Sequence, residues 1–167
     1  MLNNKIYHQH ENIKSIVANK LRESIGPTSA VLTEVNISEE GKILARADVV
    51  MYNNSLGHEI TIIEIKIKAD EIIEQNEKIN QKLMQLFQIH WAYANYTYLC
   101  LPKKECSTLI TSICKYEKIG LVTVNIKPDD GPRGYLNKIV NSAWTKEPKK
   151  WLELALRLEK LGLPPIY

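Results

Sequence analysis

Apolar residues along this chain change their spacing several times, and each change predicts an element. Ile13, Ile16, Val17, Leu21 and Ile25 recur three or four residues apart, which predicts an amphipathic helix over residues 8–25 ended by Gly26-Pro27. Residues 29–37 then read as a strand, followed by a turn at 38–42, and residues 43–52 as a second strand. After a turn at 53–57, the run Ile60-Thr61-Ile62-Ile63-Glu64-Ile65-Lys66-Ile67-Lys68 lies in a third strand over 59–68. Short connections make a meander of these three the economical arrangement. A long helix is expected from about Asp70 to Ala94, polar in its first half, with Asn95 as its cap. A strand at 96–101, a helix at 104–117, a fifth strand at 120–126 and a loop at 129–134 follow. Helices are expected over 135–144 and 148–161, the second with Pro148 in its first turn and apolar around much of its surface.

Charge interrupts this pattern at two places. Side chains alternate across a strand, so Glu64, Lys66 and Lys68 share a face with Ile60 and Ile62. A strand that turns charged on one side at its end leads out of a core toward something polar. On the strand before it, Asp48 breaks the run Ala45-Arg46-Ala47-Asp48-Val49-Val50-Met51. Taken alone, Glu-Ile-Lys-Ile-Lys is equally the alternation of a solvated antiparallel strand. Asp48 is harder to explain that way, because Asp disfavours strands and a buried carboxylate requires a partner, such as Arg46 or Lys66.

Composition sets bounds and adds little else. The chain has 167 residues, 44% of them hydrophobic, enough for one well-buried domain and short for two. The net charge of +3 does not by itself imply a polyanionic partner. Residues 103–150 nevertheless carry 10 Lys and Arg against 5 Asp and Glu, a surplus that includes Lys103, Lys104, Lys138, Lys146, Lys149 and Lys150. Such lysines are able to contact backbone phosphate without reading sequence. Three cysteines, an odd number without metal-ligand spacing, argue against a disulfide framework, and Cys100 reads as a core thiol. No apolar stretch has the length of a membrane span, and Met1–Lys5 lacks the apolar segment of a signal peptide, so a cytoplasmic protein is expected. His8 and His10 read as surface residues, His90 as packed or exposed, and Gly131 and Gly134 as turn residues rather than a phosphate cradle.

Hydrolysis of a phosphodiester needs an activated water, charge stabilisation on the phosphate and help for the leaving oxygen. Asp48 and Glu64 on adjacent strands are a pair of carboxylates suited to Mg²⁺ or Mn²⁺, with the Ile65 carbonyl as a third ligand. Lys66, one pleat from Glu64, suits electrostatic stabilisation better than general-base work, since nearby carboxylates favour its charged form.

Arg46-Ala47-Asp48-Val49-Val50 followed by Ile62-Ile63-Glu64-Ile65-Lys66 resembles the signature of the PD-(D/E)XK nuclease superfamily. The resemblance runs over about residues 10–101, and its wider frame is similar to MmcB-like DNA-repair proteins. It implies an α/β fold with a restriction-endonuclease-like αβββαβ core. That core would span about residues 8–126, with a mixed central sheet flanked by helices and two added C-terminal helices within 135–162 of a single domain. By the same resemblance Asp48 would be the motif acid, Glu64 the second metal ligand and Lys66 the motif lysine. Ala47 stands where the family often has Pro. Some members add a Gln on the following helix, for which Gln85 is the choice and Gln81 and Gln88 are alternatives. Some add a Glu on the first helix, Glu11 or else Glu23, and Glu34 on the first strand is a further candidate acid. The expectation is a Mg²⁺- or Mn²⁺-dependent DNA endonuclease of repair, recombination or restriction. Nucleases that cut both strands are commonly homodimers, but no two-fold interface is legible in the sequence. The competing readings are a non-catalytic DNA-binding or assembly module of the same fold, and an interaction domain that uses the helix around Trp151.

Overall fold

The computed structural model describes residues 2–26, 29–53, 58–126, 135–146 and 148–162. The amphipathic stripe forms α1 (Leu2–Ser24), which extends further toward the N-terminus than its apolar spacing indicates. Strands β1 (Ala30–Glu39), β2 (Lys42–Asn53) and β3 (Glu59–Ile65) follow, and β1 pairs β2, and β2 pairs β3, antiparallel, as a meander requires. Helix α2 (Gln81–Tyr93) carries the chain over to β4 (Tyr96–Pro102), parallel to β3. Helix α3 (Thr108–Tyr116) likewise leads to β5 (Gly120–Asn125), parallel to β4. Strand β6 (Tyr135–Val140) pairs antiparallel with β5, and α4 (Trp151–Gly162) closes the described chain. The result is an α/β protein with one mixed six-stranded sheet in the order β1-β2-β3-β4-β5-β6.

Helices cover both faces. Ile13, Ile16 and Val17 of α1 pack on Val49, Ile63, Ile65, Cys100 and Val122. On the other face, Tyr93 and Ala94 meet Ile60 and Ile62 together with Leu154, Ala155 and Leu158 of α4. Further along, Leu83 and Phe87 of α2 and Ile110 and Cys114 of α3 cover Leu99, Leu101 and Leu121. The central strands are apolar on both faces because both are covered.

Two expected helices differ from what the chain does. Of the stretch 70–94, only 81–93 is α-helical. Ala69–Glu71 makes a single 3₁₀ turn and Ile73 bridges to Ile79. The polar residues of 70–78 offer a helix little to bury, Ile72 being the one buried among them. Their carboxylates serve the backbone instead. Glu71 Oε1 accepts from the Ile67 and Lys68 amides, Glu74 Oε1 from the Gln81 amide, and Asn80 caps α2 by accepting from the Leu83 amide. Asn95 lies beyond the helix, accepting from the Ile60 amide and donating to the Thr145 carbonyl.

The expected helix over 135–144 is strand β6, so only one helix is added at the C-terminal end rather than two. Its short apolar pattern fits either element, and the unpaired edge of β5 decides in favour of a strand. The loop expected at 129–134 lies outside the described residues, as do Pro27 and most of the turn at 53–57. Among the described residues the three cysteines are free, Cys100 in the core, and no helix is long and apolar enough to cross a membrane.

Candidate functional site

The charged residues gather where β1 and β2 lose their alternation. Leu32 and Val50 face α2 and α4, while their neighbours Val31 and Val49 face α1. Val35 and Ala47 face α2 and α4 again. Strict alternation separates such positions by an even step, yet Leu32 to Val35 and Ala47 to Val50 are each an odd step. One residue on each strand absorbs the difference. The ladder pairs Thr33 with Val49 and Val35 with Ala47, and skips Glu34 and Asp48 between them. Glu34 takes φ +57°, a left-handed conformation uncommon outside glycine. Interruptions of this kind re-aim side chains. Here they free Asp48 from its strand's pattern and direct it to the end of β3.

Asp48 Oδ2 accepts a hydrogen bond from the Ile65 amide at 2.7 Å and lies 3.5 Å from His10 Nε2 of α1. Burial works against its charged form. The contacts from His10 and the Ile65 amide, with the charges of His10 and Lys66, outweigh burial and hold the Asp48 carboxyl below its ordinary value. The same contact raises the His10 imidazole, most of all through its bond to Asp48.

Glu64 is the more unusual carboxylate. Its side chain is 6% exposed; Oε1 accepts from Lys66 Nζ at 3.0 Å, and Oε2 is buried with no hydrogen-bond partner. Burial first, then the negative charge of Asp48, push its pKa up to about 7, against the opposing influence of Lys66. Lys66 itself stays firmly charged. Burial opposes its ammonium, but Glu64, Asp48 and Glu71 together raise it above the ordinary lysine value.

A second set of charges borders this centre. Lys14, buried on α1, donates to Glu11 Oε1 at 2.6 Å and to Glu34 Oε1 at 2.5 Å, while Arg46 lies 3.3 Å from Glu34 Oε2. Lys14 is the main influence holding Glu34 below its ordinary value. These pairs fasten α1 to the outer strands at the level of Asp48, and with it His10.

The expected residues therefore divide. Asp48, Glu64 and Lys66 are brought together. Ile65 meets Asp48 through its amide. Glu11 and Glu34 stand at the margin, engaged with Lys14, and Glu23 pairs with Lys20 on an exposed part of α1. Gln85 is exposed, as are Gln81 and Gln88, so none of the three is on the sheet-facing side of α2. That side carries Leu83, Phe87, His90 and Tyr93, and the one buried imidazole in it is His90. Asp48 has neither Arg46 nor Lys66 as its hydrogen-bonding partner; it has a backbone amide and His10. The signal for His10 was present in the sequence, since it continues the Ile13-Val17 stripe one turn back and so faces inward.

Two neighbouring carboxylates, one anionic and one whose charge is disfavoured by burial and then by the other, suit a hard divalent cation. Such an ion would remove the repulsion and leave room for waters or phosphate oxygens in its shell. Among the described residues no group of three or more His, Cys, Asp or Glu side chains is arranged to hold a metal, so these two acids would be the side-chain donors.

Fold and site together define a three-layer α/β protein with a partly buried acid–acid–lysine cluster where β2 meets the end of β3. No family model matches the chain, and no curated protein matches it. Among solved structures it is similar to SPO1766, a protein of unknown function from Silicibacter pomeroyi. The TM-score is 0.60 at 12% identity, covering 91% of this chain and 84% of that one. Identity this low shows a common fold and nothing about activity.

Proposed function

We propose that the protein is a Mg²⁺- or Mn²⁺-dependent endonuclease that hydrolyses DNA phosphodiester bonds, with Asp48 and Glu64 as metal ligands and Lys66 as the charge that meets the phosphate. The observation that carries this reading is Glu64. A buried carboxylate beside a second carboxylate that is anionic is costly to ionise unless a cation joins the pair. The ion would polarise the phosphate and lower the pKa of a bound water. Lys66, charged and within reach of Glu64, would balance charge that develops on the phosphate. His10 fixes Asp48 from the opposite side. Free cysteines agree with a reducing, cytoplasmic setting.

The test is incubation of the full chain with supercoiled plasmid, single-stranded circles and a four-way junction, in Mn²⁺, Mg²⁺ or excess chelator. Metal-dependent cutting that Asp48→Asn and Lys66→Ala both abolish, with the fold intact, is expected. Cutting that persists in chelator or in either variant refutes the assignment. So does a wild-type protein that neither binds Mn²⁺ nor cuts any of the three, which would favour the non-catalytic binding module.

A further inference from the structure

On the face of the sheet opposite α1, several buried polar groups lack hydrogen-bond partners, the Tyr93 hydroxyl and Trp151 Nε1 among them, and two others are complementary in chemistry. One is Glu64 Oε2; the other is the His90 ring, fully buried with neither nitrogen engaged. The topology brings them to the same place. Helix α2 returns antiparallel to β3 and β4, so its last residue, Tyr93, and the Ala94 that follows lie on Ile60 and Ile62 near the start of β3. Phe87, two turns earlier, lies on Leu99, the residue paired with Glu64. His90 falls between these levels on the inward side of α2, its ring edge-on to Phe87 at 5.8 Å between centroids. It therefore faces the stretch of β3 that ends in Glu64, and the charges of both Asp48 and Lys66 reach it.

We propose that His90 is a positioning residue for Glu64. Its neutral ring donates through one internal water to Glu64 Oε2 and thereby holds the carboxylate in the orientation that a divalent cation shared with Asp48 requires. This deepens the metal-site reading above and rests on it for the role of the ion. Burial keeps the ring neutral, its pKa lowered to about 4, so at neutral pH it offers one N–H donor and one acceptor. Both groups are deep enough that leaving either without a partner carries a desolvation penalty, and buried waters typically sit between such groups. Histidine also explains the inward side of α2 better than chance packing does. Leu83 and Phe87 beside it are apolar, Tyr93 is aromatic with a buried hydroxyl, and a phenylalanine at 90 would fill the same slot without an unpaired nitrogen.

Two measurements on the full chain test the link. The first is the His90 ring N–H in ¹⁵N-labelled metal-free protein at pH 7. A slowly exchanging ring proton is expected in the wild type and its loss in Glu64→Leu; a signal indifferent to Glu64→Leu overturns the proposal. The second is Mn²⁺ affinity by calorimetric titration. His90→Phe should fold and weaken Mn²⁺ about 10–100-fold, the usual effect of removing an outer-sphere partner, and His90→Gln should recover part of it. Wild-type affinity in His90→Phe overturns the proposal. Should His90→Phe not fold, His90→Asn takes its place, and wild-type affinity in that variant together with an indifferent ring proton has the same force. If the wild type binds no Mn²⁺, the metal-site reading fails, while the ring proton still decides the pairing of His90 with Glu64.

Discussion

Replacing Glu64 with Gln should make the metal-free protein more stable at pH 8 and leave it unchanged at pH 4. The Glu64 carboxyl moves from 4.5 in the unfolded chain to about 7 in the folded one, driven by burial and by Asp48. A group whose folded pKa is raised stabilises the fold fully below its unfolded value, and that stability is lost as pH rises through the folded value. Between pH 4.5 and about 7 the wild type therefore loses stability that the Gln variant keeps. At about 1.4 kcal/mol per pH unit, that interval corresponds to roughly 3 kcal/mol. Gln retains an oxygen for Lys66 Nζ and carries no charge against Asp48, so it mimics the protonated acid. The other titrating groups are common to both proteins, so the difference isolates Glu64. Urea unfolding of both proteins in chelator, at half-unit intervals from pH 4 to pH 8.5, reads it as a gap between midpoints that opens with pH. Curves that stay parallel across this range refute the reasoning. Added Mn²⁺ should reverse the order at pH 8. A ligand at about a thousand times its Kd adds roughly 4.1 kcal/mol to the protein that binds it, here the wild type, which exceeds the gap.

Three further outcomes follow from the geometry. Glu34→Gly and Glu34→Val both remove the Lys14 and Arg46 pairs, but φ +57° strains only the valine, so Glu34→Val should be the less stable by about 1–2 kcal/mol in urea unfolding. Equal stabilities would remove the claim of a strained kink. A Cβ at Gly120 would sit 2.2 Å from Tyr98 Cδ1, so Gly120→Ala must displace that ring; a loss of about 1–3 kcal/mol and a changed Tyr98 ring environment by NMR are expected. Gln85→Ala, on the exposed side of α2, should leave both Mn²⁺ affinity and stability within about 0.5 kcal/mol of the wild type, and a large effect on metal affinity would return Gln85 to the site.

Much of the architecture is carried by local signals. The i, i+3, i+4 stripe of α1, the alternation and short turns of β1 to β3, and the apolar runs of β4 and β5 each depend on residues close in sequence, so they can be read without knowing what they pack against. The same holds for the oddity of Asp48 and for the Glu64-Lys66 pair, since an acid in an apolar strand and two charges one pleat apart are facts of composition and period. What a neighbour supplies is not legible in that way. Residues 135–140 form a strand because β5 has an open edge, and α2 begins at Gln81 because Asn80 caps it and the polar residues before it have little to bury. The odd step at Glu34 and Asp48 appears only when both strands are seen against the two helical layers, because a phase reversal has no meaning until the faces are assigned. Gln85 and His90 differ by five positions on one helix, and only the direction in which α2 crosses the sheet turns the first to solvent and the second toward Glu64. Local pattern sets which residues can carry charge into the core. Which of those charges meet is a matter of packing, because contact between Asp48, Glu64, Lys66 and His10 depends on strand register and helix placement across the whole sheet.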